Sequence, residues 1–261
     1  MSVILALKLF LVPLLIAAVT LAGRRWGPAV AGWLSAFPVV SAPILYFIAL
    51  QHGAAFTADA AVGTLSAVLA ILAFGISYAW AATRYSWLLS LLAAFAGYAL
   101  AVAALALWTP NLHIAAPAVL AALLIAPRLY PKLVGAAFRT AKAIKSGNDI
   151  YWRMGAGAML VLLVTHFSSL LGQRLSGVFA MFPVMGSVLV LFSHRESGPA
   201  FAIALLRGMV LGYYAFSVFC IVLGLTLQSI GIAPAFLVAL ACALVVQALT
   251  RIYQNHREPR T

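Results

Sequence analysis

The sequence predicts an all-α membrane protein, and three observations carry that expectation. Hydrophobic residues fill 66% of the 261 positions and charged residues 8%, against about half and a quarter in soluble domains. Apolar runs of about 20 residues, the length that crosses a hydrocarbon core, recur down the whole chain, and mean hydropathy is +1.11. A Phe-Pro-Val triplet occurs twice, at 37–39 and at 182–184, each time inside such a run. Proline there removes a backbone donor and crowds the preceding turn, so both runs are expected to be broken helices.

Nine spans follow in order. The first, 3–22, is followed by Arg24 and Arg25. Basic residues after the apolar run, not before it, argue for a retained helix with its N-terminus outside, not a cleaved leader. The second, 27–50, carries Gly32 and Phe37-Pro38, and the third, 55–81, carries Asp59. The fourth is 86–108. The fifth, 111–127, is short and holds Pro117. The sixth, 154–171, carries Thr165 and His166; the seventh, 174–193, carries Gly177 and Phe182-Pro183. The eighth, 198–227, carries Arg207, and the ninth is 231–252. A basic amphipathic stretch, 130–145, precedes the sixth and is expected along the cytoplasmic surface.

The charges justify the count. With nine spans, Arg24, Arg25, Arg84, Arg128, Lys132, Arg139, Lys142, Lys145, Arg153, Arg195, Arg251, Arg257 and Arg260 share one face. The other face receives only Arg174 and Lys8. Dropping the fifth span would scatter them. The positive-inside rule then places the N-terminus outside and the C-terminus in the cytoplasm of a bacterial inner membrane. The net charge of +12 is read as topology and headgroup contact, with the lipid bilayer as partner and no nucleic acid. Cys220 and Cys242 sit in apolar runs without metal or redox spacing. No nucleotide-binding loop, metalloprotease motif or pair of acids at catalytic spacing is present. Neither enzyme activity nor a cofactor or metal is expected.

A shift of 145 positions carries Pro38 onto Pro183. The same shift aligns Val19-Thr20 with Val164-Thr165, Gly27 with Gly172, and Gly32 with Gly177. It also aligns Phe47 with Phe192, Gly53 with Gly198, Ala55-Phe56 with Ala200-Phe201, and Gly63 with Gly208. About a quarter of 45 positions agree, concentrated at Gly, Pro and Phe, which have backbone or packing reasons to recur. The chain is therefore expected to hold two four-span repeats, 1–108 and 153–261, joined by a linker of 109–152 that contains the fifth span. An offset of five spans inverts the second repeat, giving a 4+1+4 inverted-topology layout, similar in plan to the fused fluoride channels, whose motifs are absent. A homodimer stays open.

The stretch "QRLSGVFAMFPVMGSVLVLFSHRESGPAFAIALLRG" resembles the GlpM family of small four-span bacterial inner-membrane proteins. The matching residues are Gly177, Phe182-Pro183 and Glu196-Ser197-Gly198; the first half matches more loosely through Gly32, Phe37-Pro38 and Gly53, with Gln51 in place of the glutamate. The resemblance implies a four-span unit. The family is linked by name to glycerol phosphate metabolism and alginate production, and no molecular activity is carried over.

Proline-broken spans at matching places in inverted halves point to a central site. Carbonyls near Leu34 and Phe179 are expected to be freed, which lipid does not tolerate, and Gly32 and Gly177 to allow close helix approach. Phe37 and Phe182 are expected to shape a constriction beside Pro38 and Pro183. Ionisable groups within spans are functional candidates. The repeat sets Asp59 opposite Ala204, one turn from Arg207, so Arg207 is expected to attract an anionic substrate that Asp59 gates or neutralises; the other readings are a structural ion pair, or Asp59 solvated at the outer headgroup level. Thr20 and Thr165 add hydroxyls, although most such groups bond the preceding turn. The expected function is passage of a small anionic or polar solute; the other reading is a non-transporting factor, a scaffold for envelope or polysaccharide machinery or a lipid-handling protein.

Overall fold

The computed structural model describes residues 3–108, 110–131, 149–170 and 182–257. Among these every regular element is a helix: α1 (Val3–Trp26), α2 (Pro28–Ser35), α3 (Ser41–Ala82), α4 (Trp87–Ala106), α5 (Leu112–Leu129), α6 (Ile150–Leu170), α7 (Val184–Ser197), α8 (Pro199–Ile230) and α9 (Ile232–Arg257). Six of them, α1, α3, α4, α5, α8 and α9, are long and apolar enough to cross a membrane. The chain is an all-α membrane protein with several candidate spans.

Three of the nine expected spans differ from a plain crossing helix. The run 27–50 is α2, a break over 36–40, and the first turns of α3. α6 is 21 residues long and is not among the six. Only the second part of the run 174–193 is described, as α7; Gly177 and Phe179 lie outside the described residues, as does most of the basic stretch 130–145.

α3 is two helices meeting at Gly53, whose φ of 84° and ψ of 174° are not helical. Gly198, between α7 and α8, holds φ 85° and ψ 174°. Only glycine populates this region readily, so a helix ends and the next begins with no loop between. Pro199 then opens α8 at a position where its missing N–H costs nothing.

α3 and α8 form the centre. Their apolar stretches are 56% and 50% buried, against 17–28% in the other candidate spans. α3 packs on α4, α8 on α9, α1 on α6, and α3 on α8, while α5 touches both α3 and α8. The α5 C-terminus is held from both sides: Trp80 Nε1 of α3 donates to the Leu129 carbonyl at 2.8 Å, and Arg207 Nη2 of α8 donates to the Pro131 carbonyl at 2.8 Å. These carbonyls have no partner inside their own helix.

α2 lies against α8 through small residues. A Cβ on Gly32 would strike the Leu205 carbonyl, one on Gly208 the Ala29 carbonyl, and one on Gly212 the Trp33 carbonyl. The two backbones touch because none of the three has a side chain. Gly208→Ala is therefore expected to lower stability by about 1–3 kcal/mol, because backbone must shift. Gly155→Ala, where a Cβ meets nothing within 4 Å among the described residues, should be neutral or slightly stabilising. Thermal unfolding of both variants in detergent checks this contrast.

Candidate functional site

A large cavity, about 920 Å³, opens at one end of the α3–α8 seam. Asp59, Ser66 and Ala70 of α3 form one wall, Tyr98 of α4 another, and Asn111 and Gln228 lie at the mouth. From Asp59 to Ser66, an α3 position of the lining that keeps some exposure, the wall descends roughly 10 Å at about 1.5 Å per residue, a third of a hydrocarbon core of about 30 Å. At its floor Phe182 packs against Tyr98, ring centroids 5.9 Å apart, and against Phe95 at 5.1 Å. Phe95 in turn packs on Phe74 at 5.8 Å. Beyond this aromatic layer is a second, far smaller cavity of about 10 Å³, lined by Phe74, Gly75, Tyr130, Pro183 and Tyr213, room for about one water.

The sequence-expected residues divide between these places. Phe182 forms the aromatic layer and Pro183 the wall of the small cavity. Asp59 is exposed at the mouth of the large one. Gly32 is the seat of α2 on α8. Phe37 is half-buried and Pro38 buried, and neither lines either cavity. The carbonyls expected to be bare before Pro38 are taken by protein: Ser35 Oγ donates to Gly32 at 2.7 Å, Gln247 Nε2 to Trp33 at 3.0 Å, and the Phe37 N–H to Leu34 at 3.3 Å. Ser187 likewise bonds the Pro183 carbonyl at 2.7 Å.

Asp59 and Arg207 do not meet. Asp59 shares its cavity with Gln228, and the 21 positions from Arg207 to Gln228 cover roughly 30 Å of α8. The two charges therefore stand near opposite ends of the α3–α8 seam, and the expected contact between them is absent. Arg207 spends Nη2 on the end of α5 and lines neither cavity. Thr20 and Thr165 are also apart. α1 and α6 run antiparallel, with Arg24 pairing Asp149 and Gly157 facing Ile16, which puts the two threonines more than three turns from each other. Thr20 is buried with no hydrogen bond to its hydroxyl among the described residues.

Sequence reasoning missed a charged cluster at the Arg207 end. Arg153, with 1% of its side chain exposed, donates Nε to Asp149 at 2.5 Å and Nη2 to Glu196 at 2.7 Å. Arg24 also pairs with Asp149, and the Arg153 guanidinium lies 5.2 Å over the Phe192 ring. Two of the chain's four acidic residues are thus spent here. The Asp149–Arg153 spacing of four, a helical pair, was the available signal. Next to it Tyr78 and His194 Nδ1 are 2.9 Å apart. α1, α3 and α6 are thereby tied to the last turn of α7, just before Gly198.

Burial opposes ionisation of Asp149, but hydrogen bonds and the charges of Arg153 and Arg24 outweigh it and hold the carboxyl below its usual range. For Glu196, burial and the hydrogen bond with Asp149 win over Arg153, and its pKa rises. Burial lowers that of His194.

No family model matches the chain, and no curated protein or solved structure is found to be similar to it.

Arg153→Met is expected to cost on the order of 3 kcal/mol in thermal or denaturant unfolding. This is the low end for breaking a buried pair, because the Glu196 side chain keeps 27% exposure. Glu196→Gln keeps the shape and removes the titration. A raised carboxyl pKa favours folding below its ordinary value, and that contribution is lost as pH climbs through the folded value. Wild type should therefore gain stability relative to Glu196→Gln as pH falls from about 8 to about 5, checked by melting midpoints across that range.

Proposed function

We propose that the chain is a bacterial inner-membrane protein of nine spans in a 4+1+4 inverted layout, and that it passes a small polar solute along the α3–α8 seam. The observation that carries the reading is the order along that seam: an open cavity entering from one end, an aromatic layer at Phe95, Tyr98 and Phe182, then a far smaller cavity at Pro183 and Tyr213. The second Phe-Pro break thus stands where the path narrows. The breaks at Gly53 and Gly198, 145 positions apart with matching backbone angles, support the repeat, as does the antiparallel packing of α1 on α6. The GlpM resemblance is consistent with four-span units and adds no activity.

In this reading the N-terminus and the Asp59 mouth face outward, and the Arg24, Asp149, Arg153 and Glu196 cluster faces the cytoplasm, beside the basic loops. Both orientations exist in one chain, so the path needs no second copy. No catalysis is assigned. The non-transporting alternative draws on one observation: the Phe37-Pro38 break is fully sealed by protein hydrogen bonds, as a packing kink would be.

Single-cysteine labelling separates the two in a background lacking Cys220 and Cys242. Gly63→Cys, at an exposed position of the lining, and Ser66→Cys should react with an impermeant thiol reagent added outside and stay unreactive when it is added from the cytoplasm. Failure of both to react from either side, with an exposed Gln51→Cys control reacting, would leave the non-transporting reading.

A further inference from the structure

The charged cluster at the Arg207 end sits where a small change moves a whole helix. α7 ends at Gly198, a glycine at φ 85° with nothing within 4 Å of where a Cβ would stand among the described residues. Such an element-terminal position can absorb a hinge rotation. Two residues before it, Glu196 is bound to Arg153. Twelve positions before it, Gly186 lines the small cavity, roughly 18 Å away at about 1.5 Å per residue. α7 is thus a lever, with its pivot and its tie at one end and a cavity wall at the other. In the tie, Arg153 turns Nε and Nη2 to two different carboxyls, Asp149 at 2.5 Å and Glu196 at 2.7 Å. These carboxyls also hydrogen-bond each other. Ionised carboxylates only accept, so that bond requires a proton between them. Two carboxyls sharing a site keep one proton where a lone carboxyl would lose it. The titratable and charged groups around the pair are Arg24 on α1, with Arg25 exposed beside it, Arg153 on α6, and His194 and the exposed Arg195 on α7; Tyr78 of α3 meets His194. α4 and α8 also pack on α7, and the first two turns of each carry no charged side chain. Lys142 and Lys145, which precede Asp149, lie outside the described residues; cations there would move the midpoint of a response and not its dependence on Glu196.

We propose that Asp149 and Glu196 together form a cytoplasmic proton-binding site that latches α7. With the proton bound, α7 is held on α6. With the proton released, α7 swings at Gly198 and widens the small cavity toward the cytoplasm. The latch rests on the solute-passage reading and gives that path its regulation, by cytoplasmic pH. The sign follows from linkage: Glu196 holds its proton more tightly in the tied state than when freed into water, so the tie weakens as pH climbs through the tied-state value.

Cysteine reactivity of the purified chain in detergent tests the latch, in a background lacking Cys220 and Cys242. Gly186→Cys reports on the small cavity, where an added Cβ meets its nearest neighbours at 3.8 and 3.9 Å. The exposed Ser86→Cys gives the rate of a free thiol at each pH, because thiolate content itself rises with pH. The Gly186→Cys rate, relative to Ser86→Cys, should rise about fivefold or more from about pH 5.5 to about pH 8. Glu196→Gln, with the shape of the protonated form, should hold the low rate throughout. Asp149→Asn leaves Glu196 beside arginines with no second carboxyl, and should lose or invert the rise. Melting midpoints establish that each variant is folded; if Glu196→Gln is not, Asp149→Asn decides, and an unchanged rise there overturns the proposal. A rise that survives Glu196→Gln would place the response on another group, His194 first, and would overturn it, as would a flat response in the parent. Outside labelling at Gly63→Cys and Ser66→Cys with a flat response here would sink the latch and leave passage standing. A response removed by Glu196→Gln, with no outside labelling, would sink passage and keep the proton site.

Discussion

The backbone-to-backbone contact of α2 on α8 is the interaction on which the other features depend. Lipid offers no partner for a freed carbonyl, so a helix that stops at Ser35 in mid-run survives only where protein closes over its end. Gly32, Gly208 and Gly212 let α2 sit close enough for that closure. Gln247 and Thr250 of α9 then reach Trp33, one through its carbonyl and one through its indole N–H. With α2 fixed, α8 is enclosed by α2, α3, α5 and α9, which explains why it is among the most buried elements.

The same arrangement places polar chemistry at the two ends of one seam. At one end Arg207 and Trp80 hold the terminus of α5, and Arg153 holds the last turn of α7 through Glu196. At the other end Asp59, Asn111 and Gln228 surround open space. Among the described residues one end is tied by ion pairs and the other shows none, and an aromatic layer lies between them. The glycine breaks at Gly53 and Gly198 are the joints at which one helix passes directly into the next.

Much of the fold was legible because the membrane makes simple demands. Run length and the grouping of basic residues gave candidate spans, and the run boundaries near 50–55 and 193–198 fall at Gly53 and Gly198. The content of the second span was harder: Phe37-Pro38 marks a break, but whether the freed carbonyls face water or protein depends on Gln247, more than 200 positions later. Asp59 and Arg207 were legible as exceptional residues and misjudged as neighbours: they stand near opposite ends of the α3–α8 seam, roughly 30 Å apart along α8. Arg153 looked like one basic residue among many. Its burial depends on Asp149 and Glu196 converging from different elements, which no local pattern announces. The cavity lining at Tyr98, inside α4, and at Trp108 and Gln228, near helix ends, carries no distinctive sequence signal.

The central claim is that the two halves enter the membrane in opposite senses. It is tested most directly by the sidedness of Gln51 and Arg195, exposed residues that precede the two matched glycines. In cells expressing Gln51→Cys or Arg195→Cys without the native cysteines, an impermeant thiol reagent should label the first from outside only. The second should be labelled only after the cytoplasmic face is opened to the reagent. Labelling of both from the same face would contradict the inverted layout and, with it, the path along the α3–α8 seam.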